Sequence, residues 1–422
     1  MTLEKYYYDT WECARCSQCK WIHPYDVKNK RFSKICPSVA RYLFDAYSAQ
    51  GKMDIVRSMV DGELKWEDSP RLLDIIYQCT SCGACDVMCK RCLDIEPLLV
   101  MEELRIKCVE DGIGPMPKHK TFAENTQKNH NPYGEPHEER FKWMPNEVKP
   151  AEKAEIAYFV GCTSAYRRQE IAEATVKILK ASGTNFVILG PDEWCCGSPL
   201  IRTGQVKAAR ELMEHNVKAL NDLGVNTVIT ACAGCYEVLK VDYPKAGIEE
   251  KFTVMQSTEY ILQLLKDGKL ELKKEIPMKV TYHDPCHLGR GSEPYIPWEG
   301  TRKKYGILEP PKEFRRGTHG VYEPPRDVLK KIGIELVEMD RIKEYAWCCG
   351  AGGGVKSAFP DFALWTAKER VEEAKATGAP VLVTSCPFCV TNLDDAVKKT
   401  NERIEVLDIM TLVLKAIEDK GA

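Results

Sequence analysis

Ten of the twenty cysteines fall into two groups of five with one internal pattern. The first group is Cys162, the pair Cys195-Cys196 followed by Gly197, and Cys232-x2-Cys235. The second is Cys286, Cys348-Cys349-Gly350 and Cys386-x2-Cys389. Five thiolates are too many for one tetrahedral zinc, which takes four. Cys195, Cys232 and Cys235 recur at steps of 153, 154 and 154, which marks an internal duplication. Cys162 recurs at a step of only 124, so the second copy carries about 29 extra residues between its first cysteine and its pair.

Two triplets precede these groups. Cys13-x2-Cys16-x2-Cys19 is followed at a distance by Cys36-Pro37, and Cys79-x2-Cys82-x2-Cys85 by Cys89. Three thiolates at steps of three wrap one cubane 4Fe–4S cluster, and in two-cluster ferredoxins the fourth ligand comes from the other run. On that logic Cys13, Cys16, Cys19 and Cys89 hold one cubane, and Cys79, Cys82, Cys85 and Cys36 hold the other. Two features depart from the usual pattern: the gap from Cys19 to Cys36 is long, and Lys90 rather than proline follows Cys89. Cys92 is an alternative to Cys89 as ligand. Cys108 sits in a helical apolar pattern over Ile95–Asp111 and reads as a buried thiol.

Such ligands need elements that bring them together, and the expected fold class is α+β and multidomain. Residues 1–111 read as an α-helical ferredoxin-like domain, with short helices over Ser38–Gln50, Met53–Val60 and Ser69–Tyr77 and no strand alternation. Residues 112–155, rich in Pro, Asn, Lys and Glu, read as an ordered strap, with a flexible tether as the alternative. Residues 156–275 and 276–422 read as two α/β repeats. Their strands are expected at Ile156–Val160, Asn185–Leu189, Asn226–Thr230, Val280–His283, Glu335–Met339 and Pro380–Thr384. Helical patterns intervene at Ala165–Ala181, Val206–Leu223, Asp361–Ala376 and Ile409–Ile417. This alternation predicts parallel sheets with the cysteines on loops at the carboxyl edge, where open α/β sheets bind ligands. The proline-rich insertion Glu293–Pro325 is expected as a surface loop over the second cysteine group. Gly350–Gly354 lacks the Lys-Ser/Thr of a phosphate loop, and reads instead as backbone passing close to a bulky cluster.

The formal net charge of −2 argues against a broad nucleic-acid-binding surface. No apolar run approaches the roughly 18 residues of a membrane span, and Met1–Trp11 shows no secretion signal. Cysteines in such number without an export signal point to reduced thiolates in the cytoplasm, with any membrane association supplied by a partner. Disulfide scaffolds are small and secreted, which this chain is not. Structural zinc remains the simpler alternative, weakened by the two triplets.

The five-cysteine pattern, twice, resembles the cysteine-rich (CCG) domain of heterodisulfide reductase and related iron–sulfur oxidoreductases. The segments Phe32-Ser-Lys-Ile-Cys36-Pro37-Ser and Asn131-Pro-Tyr-Gly-Glu-Pro, with Trp143, are similar to that group too. The order of parts resembles the fused catalytic subunit over nearly the whole length, including the related subunits of class II benzoyl-CoA reductase complexes. The resemblance implies that Cys162, Cys195, Cys196, Cys232 and Cys235 hold one noncubane 4Fe–4S cluster. It implies a second on Cys286, Cys348, Cys349, Cys386 and Cys389, giving two cubane and two noncubane clusters in all.

Reducing a disulfide takes two electrons and two protons. A pair of one-electron carriers flanking the bond would supply the electrons, with the cubanes as the feed. His283 and His287 flank Cys286, and a histidine suits proton transfer at cellular pH, so His283 is the candidate catalytic residue. The plainer role is a hydrogen bond to a cluster sulfur or the backbone. Arg167, Arg168 and Arg290 read as surface arginines or as partners of an anionic substrate. The sequence has no flavin fingerprint and no GxGxxG, so electrons must come from or go to another redox subunit: a flavin protein, a membrane cytochrome or a ferredoxin. A relay subunit that binds no small disulfide is the main alternative, and a zinc-binding interaction module the third.

Overall fold

The computed structural model describes residues 3–89, 95–294, 296 and 298–418. Its N-terminal part is a set of short helices. Ser48 begins the helix Ala49–Val60 because its hydroxyl accepts the Gly51 N–H at 3.2 Å, satisfying one of the amide groups a helix start leaves unpaired. Met53 and Val56 from that helix meet Leu104 and Cys108 from the helix Pro97–Glu110, closing a small apolar core. Pro97 suits the first turn of its helix, since the missing N–H would have had no partner there. Among the described residues before 150 there is no strand, only one antiparallel bridge between Trp21 and Lys34. Cys92 lies outside the described residues.

The segment 112–155 contains a helix, Pro117–Asn129, that its sequence does not announce. It is polar on every side and buries only His119 and Thr126, so no apolar period marks it. Tertiary contacts hold it instead: His119 Nε2 lies 2.9 Å from the Gly354 carbonyl, and the Gln205 side-chain amide donates to the His119 carbonyl at 2.9 Å.

Beyond residue 155 come two four-stranded parallel sheets. The first is built from β1 (Ile156–Tyr158), β2 (Phe186–Val187), β3 (Thr227–Thr230) and β4 (Thr253–Gln256) in the order β2-β1-β3-β4. In the second copy come β5 (Lys279–His283), then a separate hairpin of β6 (Thr301–Arg302) and β7 (Leu308–Glu309). They are followed by β8 (Glu335–Leu336), β9 (Val381–Thr384) and β10 (Glu405–Asp408), and the sheet order is β10-β9-β5-β8. Reading β1 as β5, β2 as β8, β3 as β9 and β4 as β10, the two orders are the same, so the duplication extends to topology. The inner strand β9 is buried along its whole length and reads as a continuous apolar run. The edge strands β4 and β10 are mixed and half-exposed at their starts, which hides them from a pattern search.

The end of the insertion in the second copy packs on the loop after Cys286, where the Val321 N–H donates to the Leu288 carbonyl at 3.0 Å, but the rest lies elsewhere. Its hairpin packs on the N-terminal helix Tyr7–Glu12, with the Arg302 guanidinium 3.7 Å from the Tyr8 ring centroid. Further along, the Arg315 N–H donates to Glu96 at 3.1 Å, and Gly317 sits against Val87. The insertion is a clasp onto the helical module, formed by polar and aromatic pairs that composition alone does not reveal.

Candidate functional site

The loops that leave the carboxyl ends of β1, β3, β5 and β9 carry Cys162, Cys232, Cys286 and Cys386. Each strand fixes where its loop starts, so repeated strands produce repeated thiol positions. Gly197 and Gly350 follow the two cysteine pairs with φ of +91° and +89°, a backbone region that disfavours any side chain. That is why each pair ends in glycine. At Gly350 a Cβ would also meet the Ala363 carbonyl at 2.6 Å.

The two sheets turn these loops toward one another across a cavity of about 500 Å³. Cys162, Cys195, Cys196, Cys232 and Cys235 line it from the first repeat, and Cys286, Cys349, Cys386 and Cys389 from the second. Cys348 lies behind the wall, in hydrogen-bond contact with Cys286, Cys349 and Cys82. Within the first group the thiols touch in sequence, Cys162 with Cys195, Cys195 with Cys196, and Cys196 with Cys235. In the second, Cys389 Sγ is 3.3 Å from Cys349 Sγ. The groups meet where Cys232 and Cys386 share a hydrogen bond. All nineteen described cysteines are free thiols.

The donor set fits iron–sulfur clusters. Hydrogen bonds from neighbouring thiols, first from Cys195, hold Cys196 down to about 6 despite its burial. Hydrogen bonds from Cys232 and Cys389 likewise hold Cys386 well below its ordinary value, while the hydrogen bonds to Cys196 and Cys349, with burial, push Cys235 and Cys389 up. A Cβ on Gly161 would stand 2.9 Å from Cys235 Sγ, so the backbone itself leaves room beside the thiols.

Two buried cations serve these groups, and neither was legible from motifs. Arg140, in the strap, is fully buried; it donates to Cys162 Sγ at 3.5 Å and pairs with the buried Glu193 at 2.5 Å. Glu193 in turn accepts the Val160 and Gly161 N–H groups at 2.9 Å each, fixing the turn that carries Cys162. Arg105, also buried, donates to the carbonyls of Ile76, Cys79, Arg202 and Gly353 and to Ser81 Oγ. One side chain thereby ties the second triplet loop to both repeats. The Gly350–Gly354 stretch passes against that same loop: a Cβ on Gly353 would meet the Cys79 carbonyl at 2.4 Å.

His283 is fully buried, and its Nδ1 accepts the Arg370 Nε–H at 3.0 Å. Burial first, and the Arg370 guanidinium second, hold its pKa down to about 3, so the ring is neutral at cellular pH. Among the described residues Nε2 has no protein partner, and a ring nitrogen lies within 4.8 Å of the Cys349 and Cys389 sulfurs. His287 lines the cavity with Nδ1 3.0 Å from Glu237 Oε2. Burial alone would lower its pKa, but that carboxylate outweighs it and raises the value. Of the arginines near the first cysteines, Arg290 is buried and donates to the Cys82 carbonyl at 2.6 Å. Arg168 pairs with Asp394 at 2.7 Å and Arg167 with Glu135 at 2.7 Å.

In the helical module Cys36 interacts electrostatically with Cys79 and Cys82, and with Cys85. Cys19 interacts with Cys36 as well as with Cys13, and Cys16 is exposed. Cys13 and Cys89 both pack at the edge of the core that contains Leu3 and Met53. Cys108 is buried in that core, and burial pushes its thiol up to about 12. Its environment is that of an inert thiol.

Fold and thiol sets together define an iron–sulfur oxidoreductase. The cysteine-rich (CCG) domain family matches the chain twice, over residues 156–240 and 313–394. One component of the dihydromethanophenazine:CoB–CoM heterodisulfide reductase of Methanosarcina acetivorans is 39% identical over 420 residues, spanning 96% of this chain and 93% of that protein. One component of the fumarate reductase (CoM/CoB) of Methanothermobacter marburgensis is 33% identical over 82% of this chain and 62% of its own length. The EtfAB:quinone oxidoreductase of Syntrophomonas wolfei is 27% identical over 96% of this chain and 58% of its own. The chain belongs to the family of iron–sulfur oxidoreductases that contains this heterodisulfide reductase component.

Proposed function

We propose that this chain takes electrons from a redox partner into two cubane clusters and passes them to two noncubane clusters that reduce a disulfide. The observation that carries this reading is that nine cysteines from both repeats line a single cavity. Bound clusters supply one-electron transfer, and a disulfide needs two such electrons with two protons to become two thiols. The first noncubane cluster would be held by Cys162, Cys195, Cys196, Cys232 and Cys235, and the second by Cys286, Cys348, Cys349, Cys386 and Cys389. One cubane would be held by Cys13, Cys16, Cys19 and Cys89, and the other by Cys79, Cys82, Cys85 and Cys36.

The remaining work falls to protein groups. Arg140 presents a hydrogen to the Cys162 sulfur, and Glu237 orients His287 at the cavity wall. The pair Glu237–His287, with His283, is a means of holding a proton beside the substrate. The electron donor is another protein, flavin-containing or cytochrome-like, or a ferredoxin. Among the described residues no helix is long and apolar enough to cross a membrane, so peripheral attachment would come through that partner.

Anaerobic purification should yield a brown protein with about sixteen irons, four for each of four clusters. Reduced viologen should then be oxidised on addition of a disulfide, tested with a panel that includes the heterodisulfide of coenzymes M and B and uncharged disulfides. Fully loaded protein that turns over none of them would instead be a relay subunit. Zinc in place of iron would eliminate both readings.

A further inference from the structure

We infer that His283 is a fixed hydrogen-bond donor to the second cluster, its Nε2–H serving the edge held by Cys349 and Cys389 and locked in that role by Arg370. This deepens the reading of the second cysteine group as a cluster site and rests on it. Arg370 Nε donates to His283 Nδ1 at 3.0 Å. A guanidinium has no acceptor, so Nδ1 must present its lone pair. A ring with protons on both nitrogens would set two donors face to face, so the ring carries one proton, and that proton sits on Nε2. The same bond rules out His283 as an iron ligand. A lone pair on Nε2 would put the proton on Nδ1, against the Arg370 N–H. What remains at Nε2 is one buried N–H with no protein partner among the described residues. A ring nitrogen and the Cys349 and Cys389 sulfurs all lie within 4.8 Å of one another. A buried donor without a partner is costly, and an anionic sulfur is the acceptor at hand.

Arg370 is itself held in place. Its Nη1 donates to the Arg341 carbonyl at 2.9 Å and to Glu373 at 2.7 Å. Glu373 in turn accepts the Arg341 backbone N–H at 2.7 Å and Arg341 Nε at 2.9 Å, and all three side chains are buried. Arg370 is therefore a positioning residue that acts on the cluster through the tautomer of His283. The first repeat is built differently at the matching place. Phe159 stands three residues before Cys162, as His283 stands three before Cys286, and its ring has no N–H to offer. The first cysteine group takes its hydrogen bond from the strap instead, where Arg140 donates to Cys162 Sγ at 3.5 Å. The two groups thus repeat in ligand spacing but not in the donors that serve them. Hydrogen bonds to cluster sulfurs favour the reduced, more negative form. Losing the His283 bond should lower the reduced-to-oxidised ratio of the second cluster about tenfold at fixed potential, which is about 59 mV for one electron.

The test uses the cluster-loaded protein carrying heavy-isotope nitrogen only in its histidines. Pulsed electron paramagnetic resonance of the reduced protein should show a weak histidine nitrogen coupling, of the size transmitted through a hydrogen bond, that disappears in His283→Gln. The glutamine amide keeps an N–H at nearly the same place, so redox titration should leave that variant within about threefold of the parent, about 28 mV. His283→Phe copies the first repeat and removes the donor, and one cluster should show the tenfold fall while the others keep their potentials. A fall of less than threefold in His283→Phe, or equal falls in both variants, overturns the inference. So does a histidine coupling that is absent from the unmodified protein or survives in His283→Gln. A coupling as large as that of a direct iron–nitrogen bond overturns it too, and would make His283 a ligand. Should His283→Phe fail to load, the coupling and its loss in His283→Gln decide. Unmodified protein with no iron beyond the two cubanes would refute the cluster reading itself, whereas full loading without the coupling refutes only the part given to His283.

Discussion

Replacing Arg140 by methionine is the most direct probe of how the strap supports the first cysteine group. Arg140 and Glu193 are both fully buried and 2.5 Å apart. The methionine fills much of the arginine's volume but leaves the Glu193 carboxylate buried without its cation. Breaking a buried pair in this way costs about 3–5 kcal/mol. The Val160 and Gly161 N–H groups still hydrogen-bond Glu193, which places the expected loss at the lower end, about 3 kcal/mol. The companion change Glu193→Gln keeps the shape and removes the charge. The double variant should therefore recover part of the loss, with a coupling energy of about 1–2 kcal/mol. The assay is a double-mutant cycle by guanidinium unfolding of the anaerobically prepared protein, with iron counted per chain before each run. A loss below about 1 kcal/mol for Arg140→Met, or strictly additive single changes, would refute the argument that a buried ion pair anchors the Cys162 turn.

Other expectations follow from the same geometry. His119 is fully buried, and burial holds its pKa down to about 4 against an ordinary 6.5. The unfolded chain therefore binds an extra proton between those values, and stability must fall as pH drops through 6.5 toward 4, by up to about 3 kcal/mol from this group. Unfolding at pH 7 and pH 5 should show His119→Asn losing less on acidification than the parent; equal losses would discard the assignment. Gly350→Ala places a Cβ at a φ of +89° and 2.6 Å from a carbonyl, and should cost more than about 2 kcal/mol and lower the iron content. A fully loaded, undestabilised variant would contradict this. Arg31 forks onto Glu369 at 2.6 and 2.7 Å, joining the helical module to the second repeat, but it is half-exposed. Arg31→Ala should therefore cost no more than about 1 kcal/mol in melting experiments, and a larger loss would show that this surface pair is essential to module docking.

The candidate site of this chain was legible wherever cysteines cluster locally. The triplets, the paired cysteines and their glycines sit within a few residues of one another, and the backbone turn that each needs is written at the same place. The inner strands were legible too, because a strand buried on both faces is mostly an apolar run, as Val381, Leu382 and Val383 are. The edge strands Thr253–Gln256 and Glu405–Asp408 and the polar helix Pro117–Asn129 were not, since packing rather than periodicity makes them. His283 shows the limit most clearly. Its place three residues before Cys286 suggested proton transfer, but burial and the Arg370 guanidinium, 87 residues away, act on the ring without any signal in the local sequence. Arg140, Arg105, Glu193 and Glu237 carry no motif at all. A lone buried charge acquires its role from a partner distant in sequence, and only the packed fold brings the two together.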